Sequence, residues 1–471
     1  MRLAELAGIS SDSQVTGFAI DHRKVAPGTV FGAFRGTRFN GEDFIPDAVA
    51  AGAAAVVARP EARVEGVPHI AAEEPRRAFA QLAARFFRPF PGTVVAVTGT
   101  NGKTSSVELT RQLWRMSGHH AASIGTLGVT TADDQVSTGL TTPDIVTFLS
   151  NMAGLAREGV SHAAFEASSH GLAQYRTEGL PVHAAAFTNF SRDHLDYHDT
   201  MEAYFEAKMR LFSEVVEPDG VVVIWADDPM SPEVERRCAA RNLRILTVGT
   251  RGNALRLVRR TPTLLGQRLE IEAEGGSRTL EVPLIGAYQA ANLLTAAGLV
   301  IATGGDLDRT LGLLPRIQPV RGRLERAVIT RSGAPVYVDY AHTPDALQSA
   351  IEALKPHARG RLVVVFGAGG DRDKGKRPEM GAVAAAMADL VIVTDDNPRT
   401  EDPAQIRAEI LAGAPEAREV GGRRDAIAAA VAEATGDDII LIAGKGHEQG
   451  QIVGDRVLPF DDVTVARECA A

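Results

Sequence analysis

Short apolar runs alternate along this chain with stretches in which apolar residues recur every three or four positions, a pattern that predicts an α/β fold. Near the start, residues 29–34 read as a strand, 47–55 as an Ala-rich helix and 55–58 as a second strand. Pro89, Pro91 and Gly92 then interrupt the pattern and mark a boundary. From there to about residue 318, apolar strands at 94–97, 163–165, 184–187 and 221–225 each run into a polar turn, which predicts a mostly parallel sheet with helices on both faces. Residues 254–284 switch to a two-residue alternation, as expected of antiparallel strands with one wet face. After Pro319, four apolar strands at 336–338, 362–366, 390–393 and 439–443 each end in a turn rich in glycine, proline or charge. The pattern divides the chain into domains 1–90, 91–318 and 319–471.

A length of 471 residues fits roughly three domains. The net charge of −9 argues against a general nucleic-acid binder, which needs a basic surface. Cys238 and Cys469 are the only cysteines, so neither a disulfide framework nor a cysteine zinc site is expected. The first residues lack the apolar core of a signal peptide, and no apolar run approaches the ~20 residues of a membrane span. The cytoplasm is the expected compartment, without membrane insertion, and the protein is expected to act as a monomer.

The most informative stretch is Thr98-Gly99-Thr100-Asn101-Gly102-Lys103-Thr104, between the strand at 94–97 and a helix predicted from 105 to 116. Strand, glycine-bearing turn and helix start together describe a phosphate cradle, with backbone N–H groups and the helix dipole facing the anion. Lys103 can reach outer phosphates, and the Thr104 hydroxyl can ligate Mg²⁺. Val97 stands where a full Walker A motif has its first glycine, so a generic ATPase is a poorer match. The expected fold class is therefore α/β in three domains: a small N-terminal α/β domain, a central P-loop mononucleotide-binding domain with a parallel sheet, and a C-terminal Rossmann-like domain.

Two further strands of the central domain lead into Glu166-Ala167-Ser168-Ser169-His170 and into Asn189 through Asp196. A carboxylate and an imidazole beside bound phosphates suit Mg²⁺, and Glu166 and His194 are the candidate ligands. Lys208 lies on an amphipathic pattern at 204–212, where a lysine usually faces solvent. The last domain carries the basic residues Arg372, Lys374, Lys376, Arg377, Arg399 and Lys445, with Glu448 nearby in sequence. Arg can pair a carboxylate bidentately and Glu can hold an ammonium, so the set fits the zwitterionic end of an amino acid. A surface ion-pair network is the other reading of the same charges.

These motifs, with Asp339-Tyr340-Ala341-His342-Thr343-Pro344 and Gly444-Lys445-Gly446-His447-Glu448, resemble the Mur ligases along essentially the whole chain and in the same order. The resemblance implies an ATP-dependent amide ligase of peptidoglycan synthesis. ATP phosphorylates the D-Glu carboxylate of UDP-N-acetylmuramoyl-L-Ala-D-Glu, and the amine of an added amino acid displaces phosphate from the acyl phosphate. Splitting substrates between domains implies a closure that keeps water from the acyl phosphate.

The resemblance also assigns residues. Gly99, Thr100, Asn101, Gly102, Lys103, Thr104 and Ser105 match the ATP-binding loop, and Asn292 and Arg323 match further nucleotide contacts. Lys103, Lys208 and His194 match catalytic positions. Lys208 corresponds to a lysine carbamylated by CO₂, whose carbamate binds a second Mg²⁺; Thr104, Glu166 and His194 are the other metal ligands. Thr141, Thr142, Ser168, Gln174 and Arg176, with His22 in the first domain, match contacts to the UDP-muramoyl dipeptide. Arg372, Asp396, Asn397, Pro398, Arg399, Gly444 and Glu448 match the amino-acid site. Asp396-Asn397-Pro398-Arg399 looks like the form in enzymes that add meso-2,6-diaminopimelate rather than L-lysine, and Arg399 would pair the extra carboxylate.

The chain departs from the family pattern at His22 (usually Ser), at Glu42 (usually His), at Leu140 before Thr141 (commonly Asn), and across Ala287-Tyr288-Gln289 before Asn292. These departures bear on uracil, muramoyl and adenine contacts, not on the phosphate chemistry. Other readings are an L-lysine-adding ligase, a folylpolyglutamate- or cyanophycin-type ligase, and a non-catalytic nucleotide-binding protein.

Overall fold

The structure, a computed structural model, describes all residues except 37, 38, 133, 137, 138, 194–196, 264 and 265. The chain divides into two compact units, Met1–Thr247 with Gly298–Asp306, and Val248–Ala297 with Leu307–Ala471. Residue 90 lies inside the first unit, because Phe79, Ala80 and Leu82 of the helix Pro75–Phe87 share one core with Val94 and Phe165. Residue 318 lies inside the second, where Ile285 and Tyr288 join the core around Leu347 and Ile351.

The first unit holds a four-stranded parallel sheet of Gly17–Ala19, Thr29–Gly32, Ala55–Ala58 and His69–Ala71. The expected helix at 47–55 is the shorter Ile45–Ala50, since Ala55 already belongs to a strand. In the larger sheet the strands Val216–Trp225, Val182–Phe187, Thr93–Thr98, His162–Glu166 and Ala121–Gly125 lie side by side and parallel. Gly128–Thr130 and Gln135–Val136 extend it antiparallel. Thr93–Thr98 is central and buried from Val94 onward, as its unbroken β-branched and Ala run requires. Its turn therefore opens between two neighbouring strand ends.

In the second unit Leu255–Thr263, Gly266–Ala273 and Gly276–Val282 form the expected antiparallel strands. A six-stranded sheet runs Glu325–Ile329, Pro335–Asp339, Ile439–Ala443, Leu362–Phe366, Leu390–Val393 and Arg418–Glu419, parallel except for its first pair. Alternate residues feed cores on opposite faces: Val364 and Phe366 join one, Val363 and Val365 the other. The turns after Asp339, Phe366, Val393 and Ala443 thus share the carboxyl edge, where open α/β sheets bind ligands.

Among the described residues, no helix is long and apolar enough to cross a membrane.

Candidate active site

The cradle is a backbone construction. Gly99 has φ +147° and Gly102, at the head of the helix Lys103–Met116, has φ +84°, both conformations that favour glycine. A Cβ on Gly99 would collide with Thr188 Oγ1. The neighbouring strand end ties the loop down. Thr188 Oγ1 donates to Asn101 O at 2.6 Å, Asn101 N donates to Asn189 Oδ1 at 2.8 Å, and Thr100 N donates to Asn189 O at 2.9 Å. Thr104 and Ser105 are buried in the first helical turn.

Two lysines meet on one carbonyl. Lys103 Nζ donates to Gly99 O at 2.9 Å and Thr100 O at 2.8 Å, and Lys208 Nζ donates to Gly99 O at 2.7 Å. Lys208 is not the solvated residue its helix periodicity suggests: it is 1% exposed and its Nζ lies 4.3 Å from the Tyr204 ring centroid. Burial, then the charge of Lys103, pushes its pKa well below the usual lysine value, against an upward pull from Asp193. The helix Met201–Arg210 carrying it runs into a π-helical turn, Leu211–Val215.

Glu166, 2% exposed, accepts from Thr126 N at 2.7 Å and from Thr126 Oγ1 at 3.1 Å. Thr126 Oγ1 lies 3.1 Å from Thr141 Oγ1. Thr142 Oγ1 donates to Glu166 O at 2.7 Å and accepts from Ser168 N at 3.1 Å and Ser168 Oγ at 2.9 Å. Arg176 Nη1 donates to Thr142 O at 2.7 Å and Arg176 Nη2 to Gln174 Oε1 at 2.7 Å. Glu166, Thr141, Thr142, Ser168, Gln174 and Arg176, scattered over 36 positions, form one continuous network. His22 stands apart from it, stacked on Phe44 with ring centroids 4.3 Å apart. Glu42 pairs with Arg59 through two contacts of 2.7 Å. His194 falls outside the described residues.

Among the described residues no group of three His, Cys, Asp or Glu side chains forms a metal cluster. The oxygen donors present, the Thr104 hydroxyl and the Glu166 carboxylate, are of the hard type that Mg²⁺ takes. An unmodified Lys208 ammonium has no lone pair to offer, whereas its carbamate would.

In the second unit, Asp339 ends the strand Pro335–Asp339, beside the edge strand Glu325–Ile329, and accepts from Leu324 N at 2.6 Å and Ala341 N at 2.8 Å. Burial pushes its pKa up to about 6, against the lowering charge of Arg323. The Arg323 guanidinium lies 4.5 Å from the Tyr340 ring centroid, and Arg323 O accepts from Gln289 Nε2 at 2.9 Å. Asn292 is buried on the helix Ala287–Ala302.

The basic residues of this unit sort into distinct roles. Arg377 is fully buried between Glu401 (2.9 Å) and Glu409 (2.7 Å), and exposed Lys374 also pairs with Glu401 (3.1 Å): an ion-pair network. Lys445, also fully buried, donates to Asn397 Oδ1 at 3.0 Å and Glu448 Oε2 at 3.2 Å, and Asn397 Nδ2 donates to the same Glu448 oxygen at 2.8 Å. Arg399 has φ +53°, uncommon for an arginine, and is held by Arg399 N donating to Ile452 O (3.0 Å) and Gly454 N donating to Arg399 O (2.7 Å). Its Nη1 donates to Gly370 O at 2.8 Å. Asp396 lies against Gly444, where a Cβ would stand 2.5 Å from Asp396 Oδ2. Arg372 is exposed, its Nη1 on Asp371 O at 3.0 Å. Asp396, Asn397, Pro398, Arg399, Gly444 and Glu448 thus gather at one stretch of sheet edge. Thr126, which anchors Glu166, left no signal in the sequence, while Thr188 and Asn189 directly follow a strand and were legible as a turn.

The Mur ligase family catalytic domain model matches residues 14–87, the Mur ligase middle domain 97–300 and the Mur ligase glutamate ligase domain 322–446. The chain belongs to the Mur ligase family. It is 61% identical over 461 residues to the UDP-N-acetylmuramoyl-L-alanyl-D-glutamate–2,6-diaminopimelate ligase of Zymomonas mobilis, covering 97% of this chain and 95% of that protein. The ligase of the same name from Caulobacter vibrioides is 51% identical, with 98% and 97% covered. A solved structure of a UDP-N-acetylmuramoyl-L-alanyl-D-glutamate–2,6-diaminopimelate ligase superposes with a TM-score of 0.74 at 34% identity, covering 100% of this chain and 98% of that one.

Proposed function

We propose that this protein joins an amine of meso-2,6-diaminopimelate to the D-Glu carboxylate of UDP-N-acetylmuramoyl-L-Ala-D-Glu, converting ATP to ADP and phosphate. The observation that carries the reading is the end-to-end identity with diaminopimelate ligases, supported by an intact Asp396–Arg399 loop at a strand end. The cradle Gly99–Ser105 holds the triphosphate, with Asn292 and Arg323 as further nucleotide contacts. Thr141, Thr142, Ser168, Gln174 and Arg176, with His22 in the first sheet's region, receive the UDP-muramoyl dipeptide.

Carboxylate is a poor acyl donor because oxide is a poor leaving group. Attack of its oxygen on the γ-phosphorus expels ADP and leaves an acyl phosphate. The diaminopimelate nitrogen adds to that carbonyl, phosphate departs with the C–O bonding pair, and the amine proton passes to solvent or a nearby base. Lys103 offsets repulsion between the two anionic reactants. Thr104, Glu166 and His194 would hold Mg²⁺ and the Lys208 carbamate a second Mg²⁺, and the bound ions would supply charge to offset the phosphates. The depressed pKa of Lys208 supports carbamylation, because only a neutral amine adds to CO₂. Glu448 holds the substrate ammonium and Arg399 the distal carboxylate, with Arg372, Asp396, Asn397, Pro398 and Gly444 completing the site. L-Lysine would leave Arg399 without that partner, at a cost on the order of 2–5 kcal/mol. The reaction belongs in the cytoplasm, where ATP and nucleotide-linked precursors are found, and needs one copy of the chain.

Mass spectrometry of the product made from the UDP-dipeptide, ATP and diaminopimelate tests the reading; absence of a tripeptide mass overturns it. Oxygen-18 placed in the glutamyl carboxylate should appear in inorganic phosphate. Phosphate release as fast with L-lysine as with diaminopimelate would transfer the assignment to the lysine-adding reaction.

A further inference from the structure

Arg423 and Asp462 form a fully buried ion pair, both side chains 0% exposed, with Nε–Oδ1 and Nη2–Oδ2 separations of 2.7 Å. Burying two charges is costly, and an apolar pair of equal volume often serves stability as well or better. Cohesion alone is therefore a weak reason for this pair. The guanidinium does something an apolar side chain cannot. Arg423 Nη2 donates to Ala443 O at 2.9 Å, and Arg423 Nη1 donates to Asp395 O at 3.3 Å. Ala443 ends the strand before Gly444-Lys445-Gly446-His447-Glu448, and Asp395 immediately precedes Asp396-Asn397-Pro398-Arg399.

One planar fork thus fixes the carbonyls from which both candidate amino-acid-binding loops depart. The two loops touch one step later, where Gly444, at φ +116°, leaves no room for a Cβ beside Asp396 Oδ2. Asp395 is itself locked: its carboxylate pairs with Arg407 and accepts from Gly422 N at 2.9 Å, at the head of the helix Arg423–Glu433. Lys445, Asn397 and Glu448 then close a hydrogen-bonded triangle on top of this base.

We infer that Arg423, oriented by Asp462, is a positioning residue that sets the distance between the Asp396–Arg399 and Gly444–Glu448 loops and thereby the fit of the amino-acid substrate. The inference rests on the proposed amino-acid site, and its test separates the two. Arg423→Lys keeps a charge on Asp462 but loses the fork that spans two carbonyls. The double variant Arg423→Met/Asp462→Leu removes both buried charges together, so no orphaned charge unfolds the unit. In the full chain, both variants should raise KM for diaminopimelate about tenfold and change KM for ATP less than about twofold. Backbone amide exchange should quicken at Asp396–Arg399 and Gly444–Glu448 in both variants, without any substrate present. The exchange result stands even if the parent protein does not use diaminopimelate, so failure of the site assignment is read separately. If the double variant does not fold, Arg423→Lys decides alone. Unchanged exchange in both loops, or KM values for ATP and amino acid that rise together, would overturn the inference.

Discussion

In the phosphate cradle, Lys103 and Lys208 both end on a backbone carbonyl, Gly99 O; in the second unit, Lys445 ends on Asn397 and Glu448, Arg377 on two glutamates and Arg423 on Asp462. The first arrangement gathers Lys103, the depressed Lys208 amine and a loop of N–H groups around one carbonyl, a setting suited to an incoming polyanion. The second balances each buried cation internally, so a zwitterion can enter without changing the net charge of the site. On the proposed function, the triphosphate site gathers its buried lysines on the loop that would meet the ligand, whereas the amino-acid site uses its buried cations as scaffold and leaves Arg399 to meet the substrate.

The sharpest way to break the comparison is Lys208→Ala. If the lysine acts on the reacting phosphate, kcat falls about 10³-fold, some 4 kcal/mol in barrier, while KM for diaminopimelate holds. Phosphate release measures it, and a variant that keeps a tenth of parental turnover refutes the role. Arg399→Ala comes next: KM for diaminopimelate should rise about 10²-fold and the preference over L-lysine should collapse. Growth of selectivity in that variant would show that Arg399 does not read the distal carboxylate.

Two glycines then test whether the units act separately. Gly99→Ala, forced against Thr188, should raise KM for ATP about tenfold, and Gly444→Ala, forced against Asp396, should do the same for the amino acid, each leaving the other constant within about twofold. Swapped effects would undo the assignment of ligands to units. Smallest is a difference in pH response. Lys208 is depressed below 10.5 in the fold, so the unfolded chain binds more protons and the stability of its unit rises with pH in that range. Asp339 is raised from 3.8 to about 6, so the folded state binds more protons and its contribution is lost as pH climbs through that window. Melting of the parent relative to Asp339→Asn should weaken by about 1 kcal/mol per pH unit there.

Much of the fold and of the candidate site's placement was legible in the sequence because the candidate residues follow strand ends. Apolar runs locate strands, and the glycines, Asp339 and the Asp396–Arg399 loop follow directly from them. What escaped was settled by three-dimensional burial. Lys208 occupies a helix whose periodicity would place it in water, yet Tyr204 and Gly99 enclose it. Arg377 reads like its neighbours Lys374 and Arg372, and only the packing of Glu401 and Glu409 makes it structural. Thr126 and Arg423 carry no local pattern at all, because their partners, Glu166, Ala443 and Asp462, are 20 to 40 positions away.

The π-helical turn Leu211–Val215 begins three residues after Lys208. A wide turn of this kind holds one residue more than an α-helix needs. Deleting a single residue there would heal the helix and swing everything before it by about 100° relative to the strand Val216–Trp225. The amine on Gly99 would rotate away with it, so this short seam is where chain length, rather than side-chain identity, is under constraint.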